Sequence, residues 1–223
     1  MNFQSLATAQ TWNTLTSLPD GYFGQSAVYY NGYLYQAGGA GAIDGPPDGL
    51  IVYYTKVNTN GTIGAWQSAT PLPEAVYEHA GVVANGFLYV IGGWHYNDSL
   101  GEYVTNVVYY AKINTDGSIG SWQTANQLPQ PNISLSASVW NNTIYVAGGT
   151  DGNTIFDNVY SANVQADGSL TPWVAQPSLP VVIQTQSEVA NAPPDEIAKL
   201  KRQIVILEGA VAQIKKTINE LEP

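Results

Sequence analysis

A chain of 223 residues, 44% hydrophobic and only 11% charged, holds enough material for one or two domains with a sizeable core. Its net charge of −10 sits mostly on residues 1–180, where eleven acids face only Lys56 and Lys112; such a body excludes nucleic acid as a partner and disfavours an anionic membrane surface. With no cysteine there are neither disulfides nor thiolate–metal sites.

The N-terminal "MNFQSLATAQTW" lacks a basic start and an apolar core, so no signal peptide is expected. No apolar run approaches the roughly 20 residues of a membrane span. "WNTLTSLP" from Trp12 returns as "WQSATPLP" from Trp66, "WQTANQLP" from Trp122 and "WVAQPSLP" from Trp173, the fixed period of a repeat architecture. After the first three Leu-Pro pairs comes an apolar run such as "AGVVA", then a turn: Asn31-Gly32, Asn85-Gly86 or Asn141-Asn142. Asn-Gly tolerates the positive φ angles of a two-residue hairpin, and Asp116-Gly117 and Asp167-Gly168 predict the same for a later turn.

A second run ends on a glycine pair in every unit: Gly38-Gly39, Gly92-Gly93 and Gly148-Gly149, 54 and 56 residues apart. Glycine there predicts a backbone conformation or close approach that a Cβ would forbid. A variable loop follows, then "VYYAKIN" or a relative, a turn ending in Gly, and a short strand carrying Trp66, Trp122 or Trp173. Runs such as "FLYVI" are β-branched and aromatic, which suits sheets packed on both faces. Four short strands about every 50 residues predict an all-β propeller of four-stranded antiparallel blades, three to the chain.

This pattern resembles the kelch repeat: a glycine doublet ending the second strand, a tyrosine on the third (Tyr54, Tyr110, Tyr160) and a tryptophan on the fourth. The resemblance covers residues 12–180 and implies a kelch-type propeller segment over 1–180. The family usually closes six or seven blades, and three are present here. A fourth begins after Pro180 and breaks at Pro193-Pro194, while "SLATAQTW" looks like the last strand of a preceding blade. Residues 181–194 therefore read as a linker holding the remnant of a fourth blade.

From Asp195 the period changes. Ile197, Leu200, Ile204, Leu207, Val211, Ile214, Ile218 and Leu221 alternate in steps of three and four, an a/d heptad seam that predicts a coiled-coil oligomerisation helix over 195–223. β-Branched residues at a, with Leu at three of four d positions, favour a parallel dimer, though Ile214 at d weakens the preference. The plainer alternative is a single helix packed on its own propeller. An open arc of three blades would expose apolar sheet faces, and propellers normally hold 4–8 blades. Two chains give six, so a homodimer is expected; a homotrimer with nine blades is the alternative. The linker can reach up to about 50 Å, enough to bring two helices together.

Catalytic signatures are missing. The kelch resemblance raises two enzyme types, and neither fits: sialidases use an arginine cluster, whereas Arg202 is the sole arginine, and galactose oxidase needs a cysteine cross-linked to tyrosine. His79 reads as a structural histidine. His95 stands in the second unit's loop beside Trp94, Tyr96, Asp98 and Glu102, with no metal spacing motif. Asp151 and Asp157 lack the calcium-loop pattern. No catalytic residue, metal or cofactor is expected. The expectation is a non-enzymatic oligomeric binding or structural scaffold, adhesin-like or a designed fusion of propeller and coil. It would bind a glycan or protein through loop residues Trp94, His95, Tyr96, Asp98 and Tyr103. A fragment of a propeller enzyme is the alternative, as is a reading in which those aromatics only cover the blade ends.

Overall fold

Asn31 (φ 47°) and Gly32 (φ 85°), Asn85 (φ 49°) and Gly86 (φ 79°), and Asn141 (φ 46°) and Asn142 (φ 62°) are all left-handed, so each pair reverses the chain in two residues. The computed structural model of the chain describes residues 14–41, 48–97 and 99–179. There the three turns close the hairpins Ser26–Tyr30 with Tyr33–Ala37, Ala80–Ala84 with Phe87–Ile91, and Ser136–Trp140 with Thr143–Ala147. Third strands Val52–Lys56, Val108–Lys112 and Val159–Asn163 pair antiparallel with the second strands. Short fourth strands, Gln67–Ser68, Gln123–Thr124 and Val174–Gln176, complete three four-stranded antiparallel meanders. The fold is that of a β-propeller with three blades described.

Blades stack face to face. Because a strand's side chains alternate between faces, each blade contributes one set of residues to each neighbour. The first seam joins Tyr35, Val52 and Tyr54 to Leu88, Val90, Tyr109 and Ile113. The second joins Val82, Tyr89, Ile91 and Tyr110 to Ile144, Val146, Val164 and Leu170. Tyr35 stacks on Tyr54 (6.2 Å) and Tyr89 on Tyr110 (5.8 Å), which assigns Tyr54 and Tyr110 to the seams; in the third blade their place opposite Tyr145 is taken by Ser161, and Tyr160 is one position out of that register. First strands of successive blades lie side by side.

The glycine doublets are required by close approach as well as by φ. Gly92 (φ 63°) and Gly93 (φ 107°) donate their amides to the carbonyls of Val107 and Asn132 (2.9 and 2.8 Å). A Cβ on Gly92 would collide with the Asn132 carbonyl of the next blade. The doublet therefore ends a strand and pins the following blade at the same point.

Three expectations need correction. The tryptophans directly precede the fourth strands, and they serve the seams: Trp66, Trp122 and Trp173 donate Nε1–H to the carbonyls of Thr16, Thr70 and Asn126 (3.1, 3.0 and 2.9 Å). The Asp-Gly turns are not two-residue hairpins. Only Gly117 and Gly168 have positive φ, while Asp116 and Asp167 each accept from the amide (3.0 Å) and hydroxyl (2.7 Å) of the serine two residues on, an Asx turn. The second blade's variable segment is a strand pair: Trp94–Asn97 pairs with Gly101–Val104 and with Ala75–Tyr77.

The chain divides into units 1–182 and 183–223. Trp12, the linker 181–194 and the heptad segment 195–223 lie outside the described residues.

Candidate binding surface

Period two decides which residues of the second blade's extra sheet face outward. Trp94 pairs with Tyr77 and Val104, Tyr96 with Ala75 and Glu102, and His95 between them with Val76 and Tyr103. Trp94, Tyr96, Tyr77 and Glu102 thus share one face, and His95 and Tyr103 the other.

On the first face, the Tyr77 ring stacks on Trp94 (6.4 Å, 15°) and meets Phe23 edge-on (5.9 Å). Phe23 belongs to a two-stranded sheet of the first blade, Tyr22–Phe23 with Ala40–Gly41, and is half exposed. Between the two small sheets lies a groove of about 160 Å³, lined by Phe23, Ala40, Val76, Tyr77, Tyr96 and Glu102. Tyr77 donates its hydroxyl to Glu102 (3.3 Å); burial and then the Glu102 charge push that hydroxyl up to about 12. The groove is apolar and aromatic with one exposed carboxylate at its edge.

On the second face, His95 is fully buried. Its Nδ1–H donates to Glu74 Oε2 (3.0 Å), the tautomer following from the acceptor, and the same oxygen accepts from Tyr103 (3.0 Å) and Tyr109 (3.3 Å). Burial pushes the Glu74 carboxyl up, but the bonds from His95 and Tyr103, the His95 attraction and the Tyr109 bond outweigh it, and the net shift is downward. Burial holds His95 below its usual range despite Glu74. The pair is therefore a carboxylate and a neutral imidazole at neutral pH. His79 is buried as well, its Nε2 2.8 Å from Ser26 Oγ across the first seam. Burial, then repulsion from His95, pushes it down to about 3.

Among the residues expected to bind ligand, Trp94 and Tyr96 are on the groove side. His95 and Tyr103 turn inward, a correction explained by strand alternation, and Asp98 lies outside the described residues. The sequence reading missed Phe23, Tyr77 and Glu74. A positional signal for Glu74 existed: Asp20, Glu74 and Gln130 each follow a Leu-Pro pair, a polar position in every unit.

The Kelch motif family matches residues 134–161, from the start of the third blade to its third strand. Kelch repeat protein M-T8 of Myxoma virus (strain Lausanne) is 28% identical over 141 residues, 63% of this chain and 25% of that protein. Human Kelch-like protein 23 is 28% identical over 118 residues, 53% and 18% of the two chains. Human Kelch repeat and BTB domain-containing protein 12 is 32% identical over 84 residues, 38% and 14%. The chain thus spans a quarter or less of these relatives. The solved structure of YjhT matches with a TM-score of 0.61 at 17% identity, covering 74% of this chain and 54% of that one, a likeness of fold.

Proposed function

From the premise that this is a kelch-repeat protein, we propose a non-enzymatic protein-binding scaffold in which two chains, three blades each, complete one six-bladed ring. The observation that carries it is the contrast between inner and end faces. Tyr35 and Tyr89 are fully buried inside the seams, whereas Trp140 (70% exposed) and Tyr29 (64% exposed) stand open on the two end blades. Closing two arcs on each other covers both faces and gives a blade number propellers favour. Parallel pairing of the heptads from Ile197 to Leu221 would hold the arcs at high local concentration.

Deleting residues 192–223 is expected to weaken self-association by about a hundredfold or more while leaving the β-sheet signal in circular dichroism intact, since the blades carry their own seams. Loss of that signal even in concentrated protein would make the helix a folding requirement and defeat this division of labour.

The ligand face is the aromatic groove. Tyr77 and Trp94 spend ring faces on each other, which leaves little open face for stacking a sugar and favours an apolar side chain from a protein, with Glu102 meeting a donor or cation beside it. The absence of catalysis is supported by Glu74, whose Oε2 is held by three donors, and by His95, which is neutral and turned inward. Peptide and glycan display beside a hydrolase panel tests the reading. Tyr96→Ala should weaken a captured peptide roughly thirtyfold, the size of a hot-spot truncation. A ligand insensitive to both Tyr96→Ala and Phe23→Ala would move the site elsewhere.

A further inference from the structure

The two internal seams are built alike. At the first, the Glu78 amide donates to the Gly24 carbonyl (2.7 Å), the Gly39 amide to Val76 (2.8 Å), and the Tyr35 hydroxyl to the Gly117 carbonyl (2.9 Å). At the second, the Ser134 amide donates to Glu78 (2.9 Å), the Gly93 amide to Asn132 (2.8 Å), and the Tyr89 hydroxyl to Gly168 (2.6 Å). The third blade carries the next members of the series: the Ser134 carbonyl, the Gly149 amide and the Tyr145 hydroxyl. None of the three has a partner among the described residues. The first blade carries their complements, the Gly24 amide and the Gly61 carbonyl, likewise without partners there. Gly117 and Gly168 are buried under the rings of Tyr33 and Phe87, whereas Gly61 is exposed with nothing near it.

Side chains follow the same logic. Thr143 stands where Tyr33 and Phe87 stand, and Trp140 is its partner across the hairpin, so Trp140 lies on the face that covers a following blade. Ser136 and Ser138 are exposed on that face too, where the second blade has Ala80 and Val82 in its seam. On the first blade, Gln36 and Thr55 occupy the places of Val90 and Ala111. Both are buried, and Gln36 Oε1 and Thr55 Oγ1 have no hydrogen-bond partner among the described residues. Serine in place of alanine and valine on the third blade's open face also suits a surface that meets water before it meets another.

We infer that the Trp140–Tyr145 face closes head to tail on the first blade of a second copy of this chain, twice about a two-fold axis. This rests on the reading of two half-rings. Tyr145 donates to the second copy's Gly61 carbonyl, and the second copy's Gly24 amide donates to the Ser134 carbonyl. The rim of this seam is supplied twice. Thr16 accepts from Trp66 and reaches the Ile63 carbonyl with its hydroxyl (3.4 Å), whereas Pro177, at the equivalent place, has no side-chain donor. The second copy's residues 14–18 therefore hold the rim, and residues 177–179 give way.

The cysteine-free sequence makes the test clean. Across the first seam a Cβ on Gly81 would meet the Ser26 Cβ at 2.5 Å; the equivalent pair at the closing seam is Ser136 and Ala27, both exposed in a single chain. Full chains carrying Ser136→Cys and Ala27→Cys, co-expressed and oxidised, should give a disulfide-linked heterodimer, with neither variant linking to itself. Adding Trp140→Glu to the Ser136→Cys chain should cut the yield at least tenfold with unchanged circular dichroism, because Trp140 is a surface residue of the single chain. Self-linking of Ser136→Cys would mean face-to-face pairing and overturn the proposal. No link in a chain that still weighs as two copies would overturn this seam and leave the two-chain reading standing. A single-copy mass would remove both.

Discussion

Gly92→Val is expected to lower the melting temperature by 10 °C or more, while Gly21→Val leaves it within about 2 °C. Two costs combine at Gly92. A β-branched residue at φ 63° carries roughly 1–3 kcal/mol of backbone strain, and its Cβ would occupy the place of the Asn132 carbonyl. The second cost cannot be relieved by a rotamer, because the obstacle is backbone of the next blade and the Gly93–Asn132 hydrogen bond lies beside it. Together they exceed about 4 kcal/mol, which for a protein of this size is roughly 10 °C or more. Gly21 has an ordinary φ and open space around it. Equal thermal shifts for the two variants would strip the doublet of the role assigned to it.

Acidification is expected to destabilise the blades well above the carboxylate range. His79 titrates near 6.5 in the unfolded chain and is pushed down to about 3 in the folded one. As pH falls through that window the unfolded state gains a proton that the folded state refuses, so stability drops by about 1.4 kcal/mol per pH unit from this group. By pH 4.5 that amounts to roughly 2–3 kcal/mol, or about 5–10 °C. His95, also held down, acts in the same direction. Glu74 is held down as a carboxylate, so its contribution is present above its ordinary pKa and is lost only in stronger acid. His79→Gln, which places in the second blade the residue found at Gln25 in the first, should flatten the fall in melting temperature between pH 7 and pH 4.5. An unchanged slope would show that His79 is not the group that refuses the proton.

The blades were legible because their signals are local. A two-residue turn needs left-handed residues, and Asn31-Gly32 and Asn85-Gly86 supply them whatever surrounds them. Asp116-Gly117 misled because the same dipeptide serves an Asx turn, and the distinction depends on Ser118, whose amide and hydroxyl both reach the carboxylate. The segment 94–104 looked like a loop because its strand alternation is not apolar against polar. One face is aromatic and stacks on Tyr77, and the other carries His95 and Tyr103 into a polar cluster around Glu74. The groove was out of reach for a different reason. Phe23 and Tyr96 are 73 positions apart and meet only because successive blades stand side by side.

The end faces raise the question that decides the account. Tyr145, Gly149 and Ser134 offer the next set of seam bonds, and Gly24 and Gly61 offer their counterparts. Light scattering on the full chain at micromolar concentration is the most direct measurement. A mass near twice 23.9 kDa is the predicted result, and a mass of one chain or of three would contradict the closed ring of six blades.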